Sequence, residues 1–192
     1  MGSAETYREV EIKLRVSSGG RGRRILREAG FRVLKRRTLE CDTVYDTPEN
    51  ALRNGSKLLR IRSRGPQTLL TYKGPPRPGV HKVREEIELS VSDGHALGLV
   101  LERLKMSPTF RYEKYRTHFS RPGESGEAML DETPIGAFIE LEGPPEWIDS
   151  AARNLGYTQA DYITASYARL YFESRGGRPE TSAQMIFGDQ GE

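Results

Sequence analysis

Between Tyr7 and Val16 the chain alternates charged and apolar residues without a break. Glu9, Glu11, Lys13 and Arg15 fall on one parity, and Val10, Ile12, Leu14 and Val16 on the other. Successive side chains of a β-strand point to opposite faces, so this segment reads as a strand with one apolar and one fully ionised face. An ionised face can look out to bulk water or into a lined cavity, and this strand alone leaves both open. Any fold for the chain must give that face somewhere to go.

Composition narrows the choice. The 192 residues suffice for one domain with a substantial core, yet only 35% are hydrophobic against 30% charged, with a mean hydropathy of -0.66. So lean a composition suits a fold that keeps charge inside as well as outside. Thirty basic residues nearly cancel 27 acidic ones, and the net +3 gives no case for bulk capture of nucleic acid. Cys41 is alone, which excludes an intramolecular disulfide and suits a reducing cytoplasm. No apolar leader or membrane-spanning stretch is visible, so the expectation is a cytoplasmic protein without membrane partners.

Along the chain, strands are expected at Arg37–Asp46, Leu58–Ser63, Thr68–Lys73, Val83–Val91, Arg111–Phe119, Glu127–Asp131 and Ala137–Glu142, in addition to the first. Arg64-Gly65-Pro66-Gln67 reads as a hairpin turn, and the prolines of Gly74–Gly79 exclude a central strand there. Helical spacing marks a short segment ending at Gly30, then Gly94–Met106, Pro144–Leu155 and Asp161–Ser174. One domain is expected over residues 1–174, followed by a disordered tail over 175–192, where Gly, Pro, Ser and Gln dominate. About eight strands without β–α alternation indicate an antiparallel α+β domain, whose sheet could stay open or curl shut.

The pattern of the first strand recurs. Arg60 and Arg62 flank Ile61; Lys73 ends a strand with Leu70 and Tyr72 on the other parity; Arg84, Glu86 and Glu88 alternate with Ile87 and Leu89. Lys114 and Arg116 share a parity, as do Glu140 and Glu142, and Asp131 closes the strand before that last pair. Same-side carboxylates such as Glu9 and Glu11, about 7 Å apart along a strand, repel unless something cationic lies between them. A hard divalent metal would supply that compensation, and a polyphosphate would answer the matching need of the Arg and Lys pairs. Together these features favour an inward-facing charged tunnel over a solvated sheet face. His81, His95 and His118 have no metal-ligand spacing and are expected at surface or capping positions.

Glu9-Val-Glu11-Ile-Lys13 resembles the E-x-E-x-K signature of the CYTH superfamily, the triphosphate tunnel metalloenzymes. Supporting pieces follow in the family's order: Asp42-Thr-Val-Tyr-Asp46, Leu59-Arg60-Ile-Arg62, Thr71-Tyr-Lys73, Arg84-Glu-Glu86-Ile-Glu88, Lys114-Tyr-Arg116, Asp131 and Glu140-Leu-Glu142. The resemblance implies an eight-stranded antiparallel closed β-barrel with flanking helices. By position, it implies Glu9, Glu11, Asp131, Glu140 and Glu142 as ligands of Mg²⁺ or Mn²⁺. Lys13, Arg60, Arg62, Lys73, Arg84, Lys114 and Arg116 would grip a triphosphate, with Glu86 and Glu88 orienting the cations or assisting a second metal; Glu9, Glu11, Lys13, Glu86 and Glu88 form the expected catalytic set. Some relatives carry a phosphate-binding lysine near the C-terminus; no Lys follows Lys114 here, which leaves that contact absent or supplied by Arg169 or Arg175.

The expected activity is hydrolysis of tripolyphosphate, thiamine triphosphate or a nucleoside triphosphate such as ATP. Class IV adenylyl cyclase activity, converting ATP to cyclic AMP and pyrophosphate, is the alternative, and a non-catalytic polyphosphate or nucleotide binding module the second. A homodimer is compatible with this reading.

Overall fold

The computed structural model describes residues 7–177 and 183–188. Eight strands wind antiparallel: β1 (Tyr7–Val16), β2 (Arg32–Asp46), β3 (Leu58–Arg64), β4 (Gln67–Lys73), β5 (Lys82–Val91), β6 (Ser107–Ser120), β7 (Glu127–Thr133) and β8 (Gly136–Glu142). Their spatial order is β2-β3-β4-β5-β1-β8-β7-β6, and β6 pairs back onto β2, so the sheet closes into a barrel. Helices α1 (Gly19–Glu28), α2 (Ala51–Asn54), α3 (Gly94–Arg103), α4 (Pro145–Asn154) and α5 (Tyr167–Ser174) flank it.

The apolar parity of the strands faces outward, against helices. Ile12, Leu14 and Val16 of β1, Phe119 of β6, Leu130 of β7 and Ile139 and Leu141 of β8 form one buried cluster with Ile25 and Leu26 of α1 and Ile148, Ala151 and Ala152 of α4. A smaller cluster joins Tyr45 and Ile61 to Leu101 of α3. The main core thus lies between wall and helices, which leaves the charged parity to line the inside. A third cluster, Phe110, Tyr112 and Phe138 from the strands with Tyr167 and Tyr171 of α5, floors the interior.

Local chemistry sets the boundaries. Ser18 caps α1 by accepting from the Arg21 amide at 3.1 Å, and Gly30, at φ +87°, takes the left-handed turn that follows. β2 starts at Arg32, five residues before the expected Arg37, because it pairs with β6 as far as Ser120 through register shifts between Val33 and Lys35 and between Lys35 and Thr38.

The helix expected over Asp161–Ser174 is two different things. Thr158 and Asp161 close a capping box around a 3-10 turn, and Ile163 then runs extended, exchanging 2.9 Å backbone hydrogen bonds with Lys13. That contact continues the edge of β1 where its pairing with β5 stops at Glu11–Lys82. Only after Ser166 caps the Arg169 amide does α5 begin.

The tail also departs from expectation. Ala183–Met185 form a short strand, β9, parallel to Phe110–Tyr112 of β6 in the space beyond the end of β7. Ala183 and Met185 are buried in the floor cluster, so their contacts, not the composition around them, decide the outcome. Residues 178–182 and 189–192 of the expected disordered segment lie outside the described residues.

Candidate functional site

Inside the barrel is a cavity of about 570 Å³, lined by ten lysine and arginine side chains and seven glutamates. The carboxylates come mainly from β1 and β8. Glu9 accepts from Lys73 Nζ at 2.5 Å and Arg84 Nε at 2.9 Å; Glu11 accepts from Lys82 Nζ at 2.8 Å. Lys13, opposite Glu140 in the β1–β8 register, sits 3.3 Å from its carboxylate and 3.4 Å from Glu11. Across the barrel, Arg62 makes a two-pronged contact with Asp42 at 2.8 and 3.1 Å, while Arg60 donates to Tyr112 Oη and Thr71 Oγ1, both at 3.2 Å. Asp131 accepts from Lys114 Nζ at 2.8 Å, from Arg116 Nε at 2.7 Å and from Tyr167 Oη at 2.8 Å; Arg116 also bonds Glu140. Buried ion pairs recover their desolvation cost poorly, so this many inside one barrel add little net stability.

The titrations follow from this packing. Burial would raise the carboxyls of Glu11 and Glu140, but lysine and arginine neighbours hold both well below the ordinary range: Lys13 and Lys82 for Glu11, Arg116 and Lys13 for Glu140. Glu40 is likewise held low against burial by Lys114, Arg116 and Arg62. Lys82 is pulled down to about 8, first by burial, with Glu11 opposing and Lys13 and Arg84 adding to it. Glu142 is the exception among the carboxylates of β1 and β8. Burial and the charges of Glu9 and Glu11 push it up to about 7, and among the described residues it makes no ion pair.

Thirteen of the fourteen residues expected at a site line this one cavity: Glu9, Glu11, Lys13, Arg60, Arg62, Lys73, Arg84, Glu86, Glu88, Lys114, Arg116, Glu140 and Glu142. Asp131 does not; it is fully buried behind Lys114 and Arg116. Arg169 is exposed and paired with Glu173, and Arg175 stacks on Tyr171, so neither reaches the cavity. His118, expected at the surface, lines the cavity instead. Lys82, Arg64, Glu40 and Tyr112 line it too. Each continues a charged parity by one step, Lys82 before Arg84, Arg64 after Arg62, His118 after Arg116, and that extension was the available signal.

Whether a divalent cation fits can be judged from the donors. Among the described residues no three carboxylate, imidazole or thiol groups stand at the spacing of an assembled metal shell, since lysines and arginines engage Glu9, Glu11 and Glu140. The donor set is nonetheless all hard oxygen, and Glu142, directly opposite Glu11 in register, has excess negative charge around it. That combination fits Mg²⁺ or Mn²⁺.

A closed antiparallel barrel whose cavity is lined with ionised side chains from seven of its eight strands defines a distinct class of protein. The CYTH domain pattern matches residues 7–167, and the chain belongs to that family. It is 30% identical over 135 residues, 70% of its own length and 75% of the relative's, to a Methanocaldococcus jannaschii protein named "Putative adenylate cyclase". A solved structure from Pyrococcus horikoshii OT3 superposes with a TM-score of 0.72 at 27% identity, covering 87% of this chain and 99% of that one. A Hippeastrum protein described as a putative adenylyl cyclase with a dominant triphosphatase activity shares the fold, with a TM-score of 0.64 at 19% identity over 88% of this chain and 97% of its own. No helix among the described residues is long and apolar enough to cross a membrane.

Proposed function

We propose that the chain binds a linear triphosphate together with Mg²⁺ or Mn²⁺ inside the barrel and hydrolyses it. The observation that carries this reading is the arrangement of Lys13, Arg60, Arg62, Lys73, Lys114 and Arg116 around one cavity faced by Glu9, Glu11 and Glu142. Arginine forks and lysine point charges suit the many oxygens of a polyphosphate. The wall itself is close to neutral, because Asp42 and Asp131 stand behind the ten cations and seven glutamates. A polyanion therefore needs further positive charge, which a metal entering with it provides.

Glu11 and Glu142, with Glu9, would hold that ion. When bound, it would neutralise charge building on the phosphoryl oxygens and acidify a water. The chain's own part is positioning: Arg60 and Arg62 fix the phosphates at one side, Lys114 and Arg116 at the other, and Asp131 with Tyr167 keeps the second pair aimed. Glu86 and Glu88 hold the cationic wall in place, Glu86 against Lys73 at 3.1 Å and Glu88 through Thr71 at 3.1 Å.

Inorganic triphosphate is favoured over a nucleotide by what the cavity lacks among the described residues. Beside the lysines, arginines and glutamates its lining is Leu58, Leu69, Ser166, Tyr112, Tyr167 and His118, and both tyrosine hydroxyls are committed to Arg60 and Asp131. Little apolar surface remains to stack a base. The name of the Methanocaldococcus jannaschii relative supports cyclisation of ATP as a second reading.

Tripolyphosphate, thiamine triphosphate and ATP incubated with Mg²⁺ or Mn²⁺ separate the readings by product. Orthophosphate, fastest from tripolyphosphate, is the expected outcome; cyclic AMP with pyrophosphate establishes the cyclase, and binding without product a sensor. Arg60→Ala is expected to weaken tripolyphosphate binding more than tenfold while Mn²⁺ affinity changes little. Equal loss of both would make Arg60 structural.

A further inference from the structure

Where β2 breaks register with β6, between Lys35 and Thr38, the barrel wall opens into a second pocket of about 50 Å³. It adjoins the main cavity, since Lys35, Glu40, Arg64, Arg116 and His118 line both, and Arg36 adds charge on its outer side. Buried polar atoms in folded proteins almost always have a hydrogen-bond partner. Five buried side-chain atoms among the described residues have none, and three of these line this pocket: both carboxylate oxygens of Glu40 and Nε2 of His118. Glu40 lies 3.0 Å from Arg62 Nη1 and 3.7 Å from Arg64 Nη1, close enough for ion pairing but not aligned for hydrogen bonds. The other ring nitrogen of His118 is engaged by Glu127 at 3.1 Å, which turns Nε2 away from that partner.

A ligand that completes the pocket must do two things. It must offer several acceptor oxygens to lysine and arginine, and it must bring an O–H for an ionised carboxylate. Sulfate fails the second requirement, having no proton at neutral pH. Water meets it but leaves the cationic charge uncompensated. Hydrogen phosphate meets both.

We propose that this pocket is a separate subsite for a single hydrogen phosphate, with its P–OH donated to Glu40 and its remaining oxygens held by Arg64, Arg116, Lys35 and His118. The subsite goes beyond the triphosphate reading and is separable from it. Where that reading holds, the orthophosphate cleaved from the substrate is the natural occupant, and product accumulation slows turnover.

The test uses the full chain at pH 7 and fixed ionic strength, titrated with orthophosphate or sulfate in the absence of metal and with tripolyphosphate in the presence of Mg²⁺, while calorimetric binding and thermal stability are followed. Saturable binding of orthophosphate, at least tenfold tighter than that of sulfate, is expected. Arg64→Ala and His118→Gln should each weaken orthophosphate at least tenfold, whereas Arg60→Ala should weaken tripolyphosphate and spare orthophosphate. Glu40→Gln, whose amide can donate to sulfate, should collapse the discrimination between the two anions; if it does not fold, Arg64→Ala and His118→Gln carry the test. Equal or absent responses to phosphate and sulfate overturn the proposal, as does phosphate binding lost in Arg60→Ala but intact in Arg64→Ala. Phosphate discrimination without any response to tripolyphosphate would instead overturn the triphosphate reading and leave the subsite standing.

Discussion

Glu142→Gln is expected to lower metal-dependent turnover roughly a hundredfold or more, at least what outer-shell changes around a metal cost, while making the metal-free protein more stable. The second half follows from the titration of the group. Its carboxyl stands at about 7 in the folded protein against an ordinary value of 4.5, so between those values the folded state holds the extra proton. Stability therefore falls as pH rises through that window, and above pH 7 the full cost of the charge is present. At 1.36 kcal/mol for each unit, that cost is about 3 kcal/mol at most. Removing the charge at pH 8 should raise the melting temperature by about 6 to 12 °C, at 2–4 °C per kcal/mol for a chain of this size. At pH 4 the gain should vanish. Melting curves of wild type and variant at the two pH values, both in chelator, check this. A variant that is less stable at pH 8, or one that retains full turnover at saturating metal, would remove Glu142 from the account.

Asp131→Ala should have the opposite character: a destabilisation of about 3–5 kcal/mol, the cost of leaving a buried charge unpartnered. Asp131 is completely buried and accepts from Lys114, Arg116 and Tyr167 at 2.6 to 2.8 Å. Without it, two buried cations lose their nearest counter-charge, and Tyr167 loses the acceptor that fixes its ring over Lys13 and Lys114. The measurement is a urea midpoint at constant m-value. Tripolyphosphate should restore part of the loss, because its oxygens can take the place of the missing carboxylate. A change below about 1 kcal/mol with a large loss of metal affinity would return Asp131 to the ligand set that the family resemblance implies.

The strand parity made most of the barrel legible. Once Glu9, Glu11 and Lys13 share a face, and Arg60 with Arg62, Arg84 with Glu86, Lys114 with Arg116, and Glu140 with Glu142 repeat it, the charged face of five strands is named. Alternation cannot say which face is the inside, because apolar residues of a sheet can bury inward or against helices. Here Ile25, Leu26 and Ile148 decide it by covering the outside. Depth within the interior was also hidden: Asp131 and Glu140 have the same parity signature, yet one lies behind the cations and the other among them. Glu40 and His118 each extend a charged parity by one step, Glu40 before Asp42 and His118 after Arg116, but the pocket they share is not legible in that pattern. Their strands are read from the charged pairs outward, and the β2 register shift that brings Lys35 beside His118 has no mark in residue spacing. The segment before α5 misled because Tyr162 and Ile163 fit helical spacing while their backbone is taken by Lys13 of β1.

The most direct test of the whole account is a crystal soaked with tripolyphosphate and Mn²⁺, read by the anomalous signal of the metal. Triphosphate density inside the barrel against Arg60, Arg62, Lys114 and Arg116, with a manganese peak between Glu11 and Glu142, is the predicted result. Triphosphate bound only on the outer surface, or manganese absent from those two carboxylates, would contradict it.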